Sequence, residues 1–478
     1  MIGLMNDRNE NIILIDLPTF PKGVISLSLL SVAACLSKSY SVKIVDLNFI
    51  DYNEYVPSEK DVVMFGLKVS SQNFEQAITV SKKLKSLSPS SKIFWGGELP
   101  SLLPDMCLGY ADSVLGGLFE PVADAFVADL KANNLQQKYF GENNSNTISQ
   151  PDFSFLPDAK KYYQFMGYPL ETSRGCTEKC IFCMVHTMQK KNYNLSSLDA
   201  LKNILPQYKD KFINVVDYNF GVDSHHVIES SRWIKESGAL GWMAEMCIEL
   251  LDNDEVLAAL KDSRCKMIYC GLESIDQQSL NSVHKMNTNH IENYERIIRK
   301  VQSHGIQIAA GIILGLEGTH KNTFEELFKF YQRMGIIYAK LTFLTYNPGT
   351  KVHEYVKKKG VFLNEEIPSY DGNQLTYLPI GVDAKYVQNG ATEFIGKYYS
   401  LVGIVTRSFK TKLSFFARLE FILFNLCYRN AYLQWIEFDT LRKPENIKQL
   451  VELPFEKSSF IKRIEKALHW VRLQQRKN

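Results

Sequence analysis

The chain has 478 residues, of which 45% are apolar and 22% charged, and its formal net charge is +3. This length predicts two to four domains, and this composition is typical of a soluble globular protein. The near-neutral charge gives no reason to expect a nucleic-acid partner, and no apolar run approaches the roughly eighteen residues of a membrane-spanning helix. Because residues 1–11 lack the plan of a signal peptide, we expect a cytoplasmic protein.

Short β-rich runs alternate with helical patterns through the first 130 residues, which predicts a doubly wound parallel sheet. Strands are expected at 11–16, 42–46, 61–66, 92–95 and 113–115, and helices at 24–38, 74–87 and 121–131. Glycines follow several of these strands, where they would let a large flat ligand approach the backbone or would simply form turns. We therefore predict a Rossmann-like domain at 1–135 and a polar, proline-punctuated linker at 136–168.

The alternation resumes at residue 169 and predicts six β/α units, an incomplete barrel over 169–360. Strands are expected at 169–173, 212–216, 242–247, 267–270, 306–314 and 338–344, with helices at 254–260, 289–304 and 323–334. The chemistry of such a barrel lies at the carboxyl ends of its strands, where Asp217, Glu273 and Gly315 fall. The remaining residues, 361–478, predict a helical domain with helices at 383–406, 413–437 and 459–476.

Three cysteines, Cys176, Cys180 and Cys183, lie four and then three residues apart at the end of the first barrel strand. Three thiolates in one tight loop can hold three corners of a 4Fe–4S cluster and leave one iron open to a substrate or cofactor. A zinc site with His186 as the fourth ligand is the alternative that the residues leave open. A disulfide is disfavoured, because nine cysteines are few for this length and odd in number.

With these residues in view, the chain resembles the cobalamin-binding-domain radical S-adenosylmethionine (radical SAM) family, which includes methylases and the oxygen-independent porphyrin cyclase. The matching segments are 173–176 (Ser-Arg-Gly-Cys), 271–274 (Gly-Leu-Glu-Ser), 311–315, 348–350 and, more loosely, 95–100 and 117–120. The resemblance implies a 4Fe–4S cluster, S-adenosylmethionine and cobalamin as cofactors. The Asp-x-His-x-x-Gly signature of histidine-ligated cobalamin is absent, so the sequence indicates no cobalt ligand.

The resemblance also implies roles for individual residues. Cys176, Cys180 and Cys183 would hold the cluster, whose open iron would bind S-adenosylmethionine and help release a 5′-deoxyadenosyl radical. The residues expected around S-adenosylmethionine are Phe182, Asp217, Glu273, Ser274, Gly311 and Gly315. Those expected around the corrin are Gly66, Ser70, Gly96, Gly97, Gly116 and Gly117. Structural alternatives stay open for these positions: loop packing for Phe182, helix capping for Asp217 and Ser274, and tight strand packing for Gly311. Among the histidines and tyrosines near strand ends, no acid or base is assigned.

The predicted function is cobalamin-dependent methylation of an unactivated carbon. The resemblance implies a small-molecule or peptide substrate and an electron donor such as flavodoxin or ferredoxin. Two alternatives remain: a radical cyclisation, epimerisation or rearrangement without methyl transfer, and a non-catalytic iron–sulfur or zinc protein. A methylthiotransferase is disfavoured, because Cys35 and Cys107 are the only cysteines within residues 1–150 and cannot hold a second three-cysteine cluster.

Overall fold

A computed structural model of the chain describes residues 10–19, 26–48, 50–142, 148, 151–156, 163, 167–188, 193–285, 289–357, 360–441 and scattered residues from 464 to 474, without the side chains of 186 and 430–441. Two six-stranded parallel sheets dominate this part of the chain. The predicted α/β class is confirmed. None of the described helices is long and apolar enough to span a membrane.

The first sheet has the strand order β2-β1-β3-β4-β5-β6. Its strands are β1 (Asn11–Asp16), β2 (Ser41–Asp46), β3 (Val62–Lys68), β4 (Lys92–Gly96), β5 (Ser113–Gly117) and β6 (Lys138–Gly141). The helices around it are Leu27–Leu36, Phe74–Leu87, Glu98–Leu102, Pro104–Cys107 and Ala123–Lys131, with 3-10 turns at Ser71–Asn73 and Glu120–Val122. Alternate residues of β1 enter different cores, Leu14 on one face and Ile15 on the other. The sheet is therefore covered on both faces, as parallel sheets usually are.

Strand β6 lies where the sequence predicted a linker, and it corrects the boundary placed at residue 136. It pairs in parallel with β5, with Gly141 opposite Gly117. The buried Tyr139 holds it in place by donating its phenol proton to Asp129, 2.7 Å away. Four residues of mixed polarity carry too little periodicity to identify a strand. Much of the remaining linker lies outside the described residues, and the other domain boundaries stay predictions.

The second sheet has the order β7-β10-β11-β12-β13-β14, the sequential order of a barrel wall. In chain order the strands here are β7 (Tyr168–Leu170), β8 (Ser173–Arg174), β9 (Asn194–Leu195), β10 (Phe212–Val215), β11 (Gly241–Glu245), β12 (Cys265–Glu273), β13 (Gln307–Leu314) and β14 (Tyr338–Phe343). The helices are Val185–Met188, Leu198–Ile204, Ser224–Glu236, Asp254–Asp262, Gln277–Ser282, Ile291–Ser303 and Thr323–Met334, with 3-10 turns at Phe153–Phe155, Leu205–Tyr208, Phe220–Val222 and Ile248–Asp252. The predicted first strand divides into β7 and β8, and the cysteine loop connects β8 to its antiparallel partner β9.

The C-terminal region is helical, as predicted, apart from one hairpin. Its helices are Lys351–Val356, Ala384–Tyr398, Leu401–Ser408 and Phe415–Leu441, with a 3-10 turn at Ile367–Ser369 and the antiparallel strands β15 (Gly360–Phe362) and β16 (Tyr377–Pro379). The predicted helix 383–406 is broken at Ser400, whose hydroxyl accepts a hydrogen bond from Gly403 N and starts a new helix. The buried Arg407 stacks 3.5 Å above Tyr398 and ties these helices together. Most of the predicted helix 459–476 lies outside the described residues.

Candidate active site

The three cysteines lie at the carboxyl edge of the barrel sheet, on the loop between β8 and β9. Cys180 is buried, Cys176 and Cys183 are half-buried, and none of them forms a disulfide. Burial raises the pKa of all three thiols, that of Cys180 to about 12, while the ammonium of Lys285 favours their thiolate forms. Electrostatic interactions couple Cys183 to each of the other two. The fold therefore places the three cysteine sulfurs in one region of the barrel edge.

This donor set suits an iron–sulfur cluster, because it offers three thiols on one loop beside a buried cation. Among the described residues, no group of three or more histidine, cysteine, aspartate or glutamate side chains is already gathered as a metal site. Coordination by these cysteines therefore stays a prediction. The side chain of His186, the fourth ligand of the zinc alternative, is outside the described set.

Asp217 anchors the backbone that leads into the cysteine loop. Its carboxylate accepts hydrogen bonds from Thr172 N at 2.7 Å, Thr172 Oγ1 at 2.6 Å and Ser173 Oγ at 2.6 Å. Burial raises the pKa of Asp217, and these donors oppose the shift. The helix-capping alternative for Asp217 is wrong, because Asp223 caps the next helix through His226 N. The predicted contact with S-adenosylmethionine is not tested, but three protein donors already occupy this carboxylate.

Arg174 connects the cysteine loop to the N-terminal domain. Its guanidinium lies 2.8 Å from Glu120, which follows β5, and 2.8 Å from Glu171. The arginine side chain is only 7% exposed, so the group forms a buried ionic bridge between the two domains. Burial raises the pKa of Glu171 to about 7, and Arg174 opposes that shift. Sequence reasoning used Arg174 only as part of a motif and missed this partner, because Glu120 belongs to the other domain.

Lys285 and Glu273 place a second ion pair beside the cysteines, with 3.9 Å between Nζ and Oε1. Burial opposes the charge of Lys285, but Cys180 and Glu273 outweigh it and raise the pKa of the ammonium. Burial also raises the pKa of Glu273. Glu273 has a positive φ of 61°, at a register shift between β12 and β13. This uncommon backbone conformation turns its carboxylate back over Gly271. No sequence signal pointed to Lys285.

The other residues predicted around S-adenosylmethionine lie at the same edge, but the structure explains several of them by packing. Phe182 packs against an apolar cluster that includes Leu316 and Tyr346. The capping alternative for Ser274 is wrong, because Asp276 caps the helix Gln277–Ser282. Ser274 Oγ accepts a hydrogen bond from Asp276 N.

Two glycines of the predicted set have close neighbours inside the protein. A side chain at Gly311 would meet the phenol oxygen of Tyr269 at 2.2 Å. Gly315 has a φ of +80° beside Leu378. These contacts support the packing alternative for Gly311. Ligand contact stays a prediction for both.

The N-terminal domain lies against the open end of the barrel, where a side chain at Gly117 would lie 3.4 Å from Met188 O. Tyr218, which follows β10, is 43% exposed, and desolvation raises the pKa of its phenol. The charges that act on Tyr218 come from Glu171 and Cys183 in the barrel and from Glu98 in the N-terminal domain. Glu245, at the end of β11, is likewise accessible, and burial raises its pKa to about 7.

Two different constraints act on the glycines predicted around a corrin: a positive φ, and close packing within a strand. Gly97 and Gly117 have φ values of +114° and +71°, and a side chain at either would strike a backbone carbonyl. Gly66 lies within β3, where a side chain would strike Leu14 at 2.7 Å. The predicted role at Gly66 therefore has a packing explanation, because the residue lies inside the sheet rather than beyond its end.

The remaining N-terminal positions lie at or just beyond strand ends. A side chain at Gly116 would strike the ring of Phe140. A side chain at Gly96 would make only an ordinary van der Waals contact with Leu115, at 3.7 Å. Ser70 forms a capping box with Asn73. The sequence missed Ser101, which accepts a hydrogen bond from Gly117 N and donates one to Gly97 O, tying the two glycine turns together. Corrin contact at these positions stays a prediction.

His226, one of the histidines near strand ends, is buried beside the segment that leads to the cysteine loop. It is 3% exposed, and its Nε2 lies 3.1 Å from Thr172 Oγ1. Burial lowers its pKa to about 4, so the imidazole is neutral at physiological pH. It supports the same loop that Asp217 holds.

Comparison with known proteins agrees with this geometry. The model of the radical SAM superfamily matches residues 170–331. The bacteriochlorophyllide d C-12(1)-methyltransferase of Chlorobaculum tepidum is 25% identical over 344 residues, which cover 70% of this chain and 74% of that protein. The hopanoid C-2 methylase of Rhodopseudomonas palustris is 24% identical over 223 residues, covering 44% of this chain and 41% of that protein.

Two solved structures share the fold over most of the chain. OxsB, a cobalamin-dependent S-adenosylmethionine radical enzyme with aqua-cobalamin and S-adenosylmethionine bound, superposes with a TM-score of 0.65 at 15% identity and covers 97% of this chain and 83% of its own. TsrM from Kitasatospora setae, a radical S-adenosylmethionine methyltransferase with cobalamin and a [4Fe-4S] cluster bound, gives 0.63 at 13% identity, covering 89% and 99%.

Residues 170–331 match the radical SAM family model and carry the cysteine loop, and with its methyltransferase-named relatives this defines a radical SAM enzyme. The fold of the chain is shared with OxsB and TsrM. The predicted recognition and enzyme class are thereby confirmed. A 4Fe–4S cluster and S-adenosylmethionine, the cofactors of the superfamily, are confirmed with them.

Proposed function

We propose that this enzyme methylates a carbon atom of its substrate, with S-adenosylmethionine as the source of the methyl group and cobalamin bound in a cleft between the two α/β domains. The observation that carries the proposal is that the N-terminal domain lies against the barrel at the cysteine loop, where Glu120 after β5 contacts Arg174 at 2.8 Å. Relatives named as methyltransferases or methylases support it, as do structural neighbours described with cobalamin bound.

In this proposal the residues of the chain have separate roles. Cys176, Cys180 and Cys183 hold the cluster, which would supply the electron that cleaves S-adenosylmethionine, while cobalamin would carry the methyl group. Asp217 fixes the start of the cysteine loop through Thr172 and Ser173. The residues at the cleft would orient the ligands and exclude water. We propose no protein ligand for cobalt.

The partners we propose are those that the sequence indicated. They are a small-molecule or peptide substrate and a flavodoxin or ferredoxin as reductant, with no nucleic acid involved. None of the nine cysteines, all of them in the described part of the chain, forms a disulfide. This agrees with a reducing compartment, and we place the enzyme in the cytoplasm.

The test compares host cells that produce the wild-type chain, Cys180→Ala or Cys265→Ala. Cys265 is also buried, but it lies at the far end of β12 and serves as the matched control. Cells are fed methionine with a deuterated methyl group, and their metabolites are measured by mass spectrometry. We expect a methyl-labelled product in the wild type and the control that is absent in Cys180→Ala. A Cys180-dependent product without the label would instead support a cyclisation or rearrangement.

The purified protein gives a second readout that needs no substrate. Anaerobic wild-type protein from cobalamin-supplemented cells should carry corrin and about four irons per chain, and it should release 5′-deoxyadenosine from S-adenosylmethionine. Cys180→Ala should lose the iron and the nucleoside product, whereas Cys265→Ala should keep both. Corrin-free wild-type protein that still releases 5′-deoxyadenosine would contradict the role of cobalamin.

A further inference from the structure

Large apolar side chains are exposed on the helix Leu401–Ser408, in the turn after it and at the start of the helix Phe415–Leu441. Leu401, Val402, Val405, Phe409 and Phe415 are 61%, 77%, 45%, 65% and 73% exposed. We call these five residues the C-terminal apolar patch. The opposite helix face is buried, so the exposed face is not needed to hold the helix in place. The exposed side chains present on the order of 500 Å² of apolar area, which is large for one region of a monomer.

Basic residues predominate in the segment that carries this patch. Between Glu393 and Glu420 the sequence has five basic residues and no acidic one, and of the five only Arg407 is buried. Lys410 and Lys412 are exposed beside Phe409. The guanidinium of Arg418 lies 4.4 Å above the Phe409 ring. An apolar centre with a cationic rim is complementary to an anionic lipid surface.

The patch lies far from the reactive edge of the barrel. Gly335, just before β14, contacts Lys410: a side chain at this glycine would meet Lys410 Cβ at 3.2 Å. The patch is therefore at the amino end of β14, whereas the cysteine loop lies beyond the carboxyl ends of the strands. Six residues of strand separate the two levels by about 20 Å. An electron donor must approach the cluster, so this position does not suit one.

We propose that the C-terminal apolar patch docks the enzyme on a membrane surface that contains anionic lipid. The aromatic and aliphatic side chains enter the boundary between headgroups and acyl chains, and the lysines lie against lipid phosphates. None of the described helices could span a membrane, so the attachment is peripheral. The inference does not depend on methyl transfer.

The test is co-sedimentation of the full-length protein with phosphatidylcholine vesicles, with and without phosphatidylglycerol. We expect binding to the mixed vesicles, weakening as salt is added. Phe409→Ser with Phe415→Ser should weaken binding at least tenfold. Lys410→Gln with Lys412→Gln should weaken it roughly fivefold for each lysine, and only on anionic vesicles. Ile380→Ser, which removes an apolar side chain 80% exposed but about 20 Å away at the other end of the helix Ala384–Tyr398, should bind like the wild type.

Three results would overturn the proposal. One is wild-type protein that stays in the supernatant with anionic vesicles. Another is binding that the phenylalanine pair does not change. The third is a dimer in light scattering that the phenylalanine pair dissociates, because the patch would then be covered by a second copy of the chain. Release of 5′-deoxyadenosine in the same samples reports on the chemistry separately, so failure of the docking and failure of the proposed reaction are distinguishable.

Discussion

The carboxylate of Asp217 provides a test of how the barrel positions its cysteine loop. In Asp217→Ala, the Thr172 N–H and the hydroxyls of Thr172 and Ser173 lose their shared acceptor. All three residues are buried, at 3% exposure or less, so water cannot readily replace the carboxylate. We expect the segment from Thr172 to the cysteines to lose its fixed position and the cluster to be lost with it.

The size of the effect follows from the hydrogen bonds. A hydrogen bond to a charged group contributes about 1.5–3 kcal/mol, so three of them contribute roughly 4–9 kcal/mol before any offset. Burying the charge offsets part of this, and the raised pKa of Asp217 reflects that cost. We expect a net loss of about 3–5 kcal/mol in the free energy of unfolding, together with a several-fold loss of bound iron.

The assay measures iron per chain after anaerobic reconstitution and the urea midpoint of the same preparation. Asp223→Ala is the matched control, because Asp223 lies in the same β/α connection but accepts its hydrogen bond from His226 N of its own helix. Loss of this cap should cost about 1 kcal/mol without changing the iron content. Asp217→Ala protein with wild-type iron would refute the anchoring role. If that protein also failed to bind S-adenosylmethionine, Asp217 would be a ligand contact instead.

Three further variants test the buried charges and one turn. Arg174→Met leaves Glu120 and Glu171 without their shared cation, and we expect urea denaturation to show a loss of about 3–5 kcal/mol; an unchanged midpoint would contradict the bridge. Gly97→Ala should cost about 2 kcal/mol or more, because φ is +114° and a Cβ would lie 2.7 Å from a carbonyl oxygen, whereas the neighbouring Gly96→Ala, with ordinary contacts, should stay within about 1 kcal/mol. Burial raises the pKa of Asp16 from 3.8 to about 7, so the folded protein keeps a proton that the unfolded chain releases between about pH 4 and pH 7. Wild-type stability should therefore fall as the pH rises through this window, and Asp16→Asn should avoid a loss of up to about 4 kcal/mol; parallel pH profiles of the urea midpoint would exclude this linkage.

Secondary structure was predicted best where a clear apolar pattern ran the length of an element. The helices 74–87 and 323–334 are found with the predicted bounds, as is the strand 11–16. Prediction failed where an element was short or where its local pattern was ambiguous. Strand β6 has only four residues, in a segment predicted to be a linker, and the predicted helix 383–406 is interrupted at Ser400. Pattern reasoning cannot resolve such breaks, because a capping residue also occurs within helices and loops.

Sequence reasoning about the site succeeded for residues adjacent along the chain and failed for those that meet through folding. The motif of Cys176, Cys180 and Cys183, together with the other matching segments, carried the resemblance to radical SAM proteins. Lys285 and Ser101 escaped notice, because each acts on groups carried by other segments of the chain. For Ser274 the alternative of helix capping is wrong, because Asp276 caps that helix, and the predicted contact with S-adenosylmethionine stays a prediction.

The sequence by itself determined the class of this enzyme, its two parallel sheets and its cysteine loop, because those depend on local spacing and periodicity. Only the tertiary structure decided what each buried charge does: Asp217 holds a loop, Arg174 joins two domains, and Lys285 lies beside the cysteine thiols. The reason is physical, since the effect of a charge depends on its distance from its neighbours and on its exposure to water, and both are set by how the strands and helices pack.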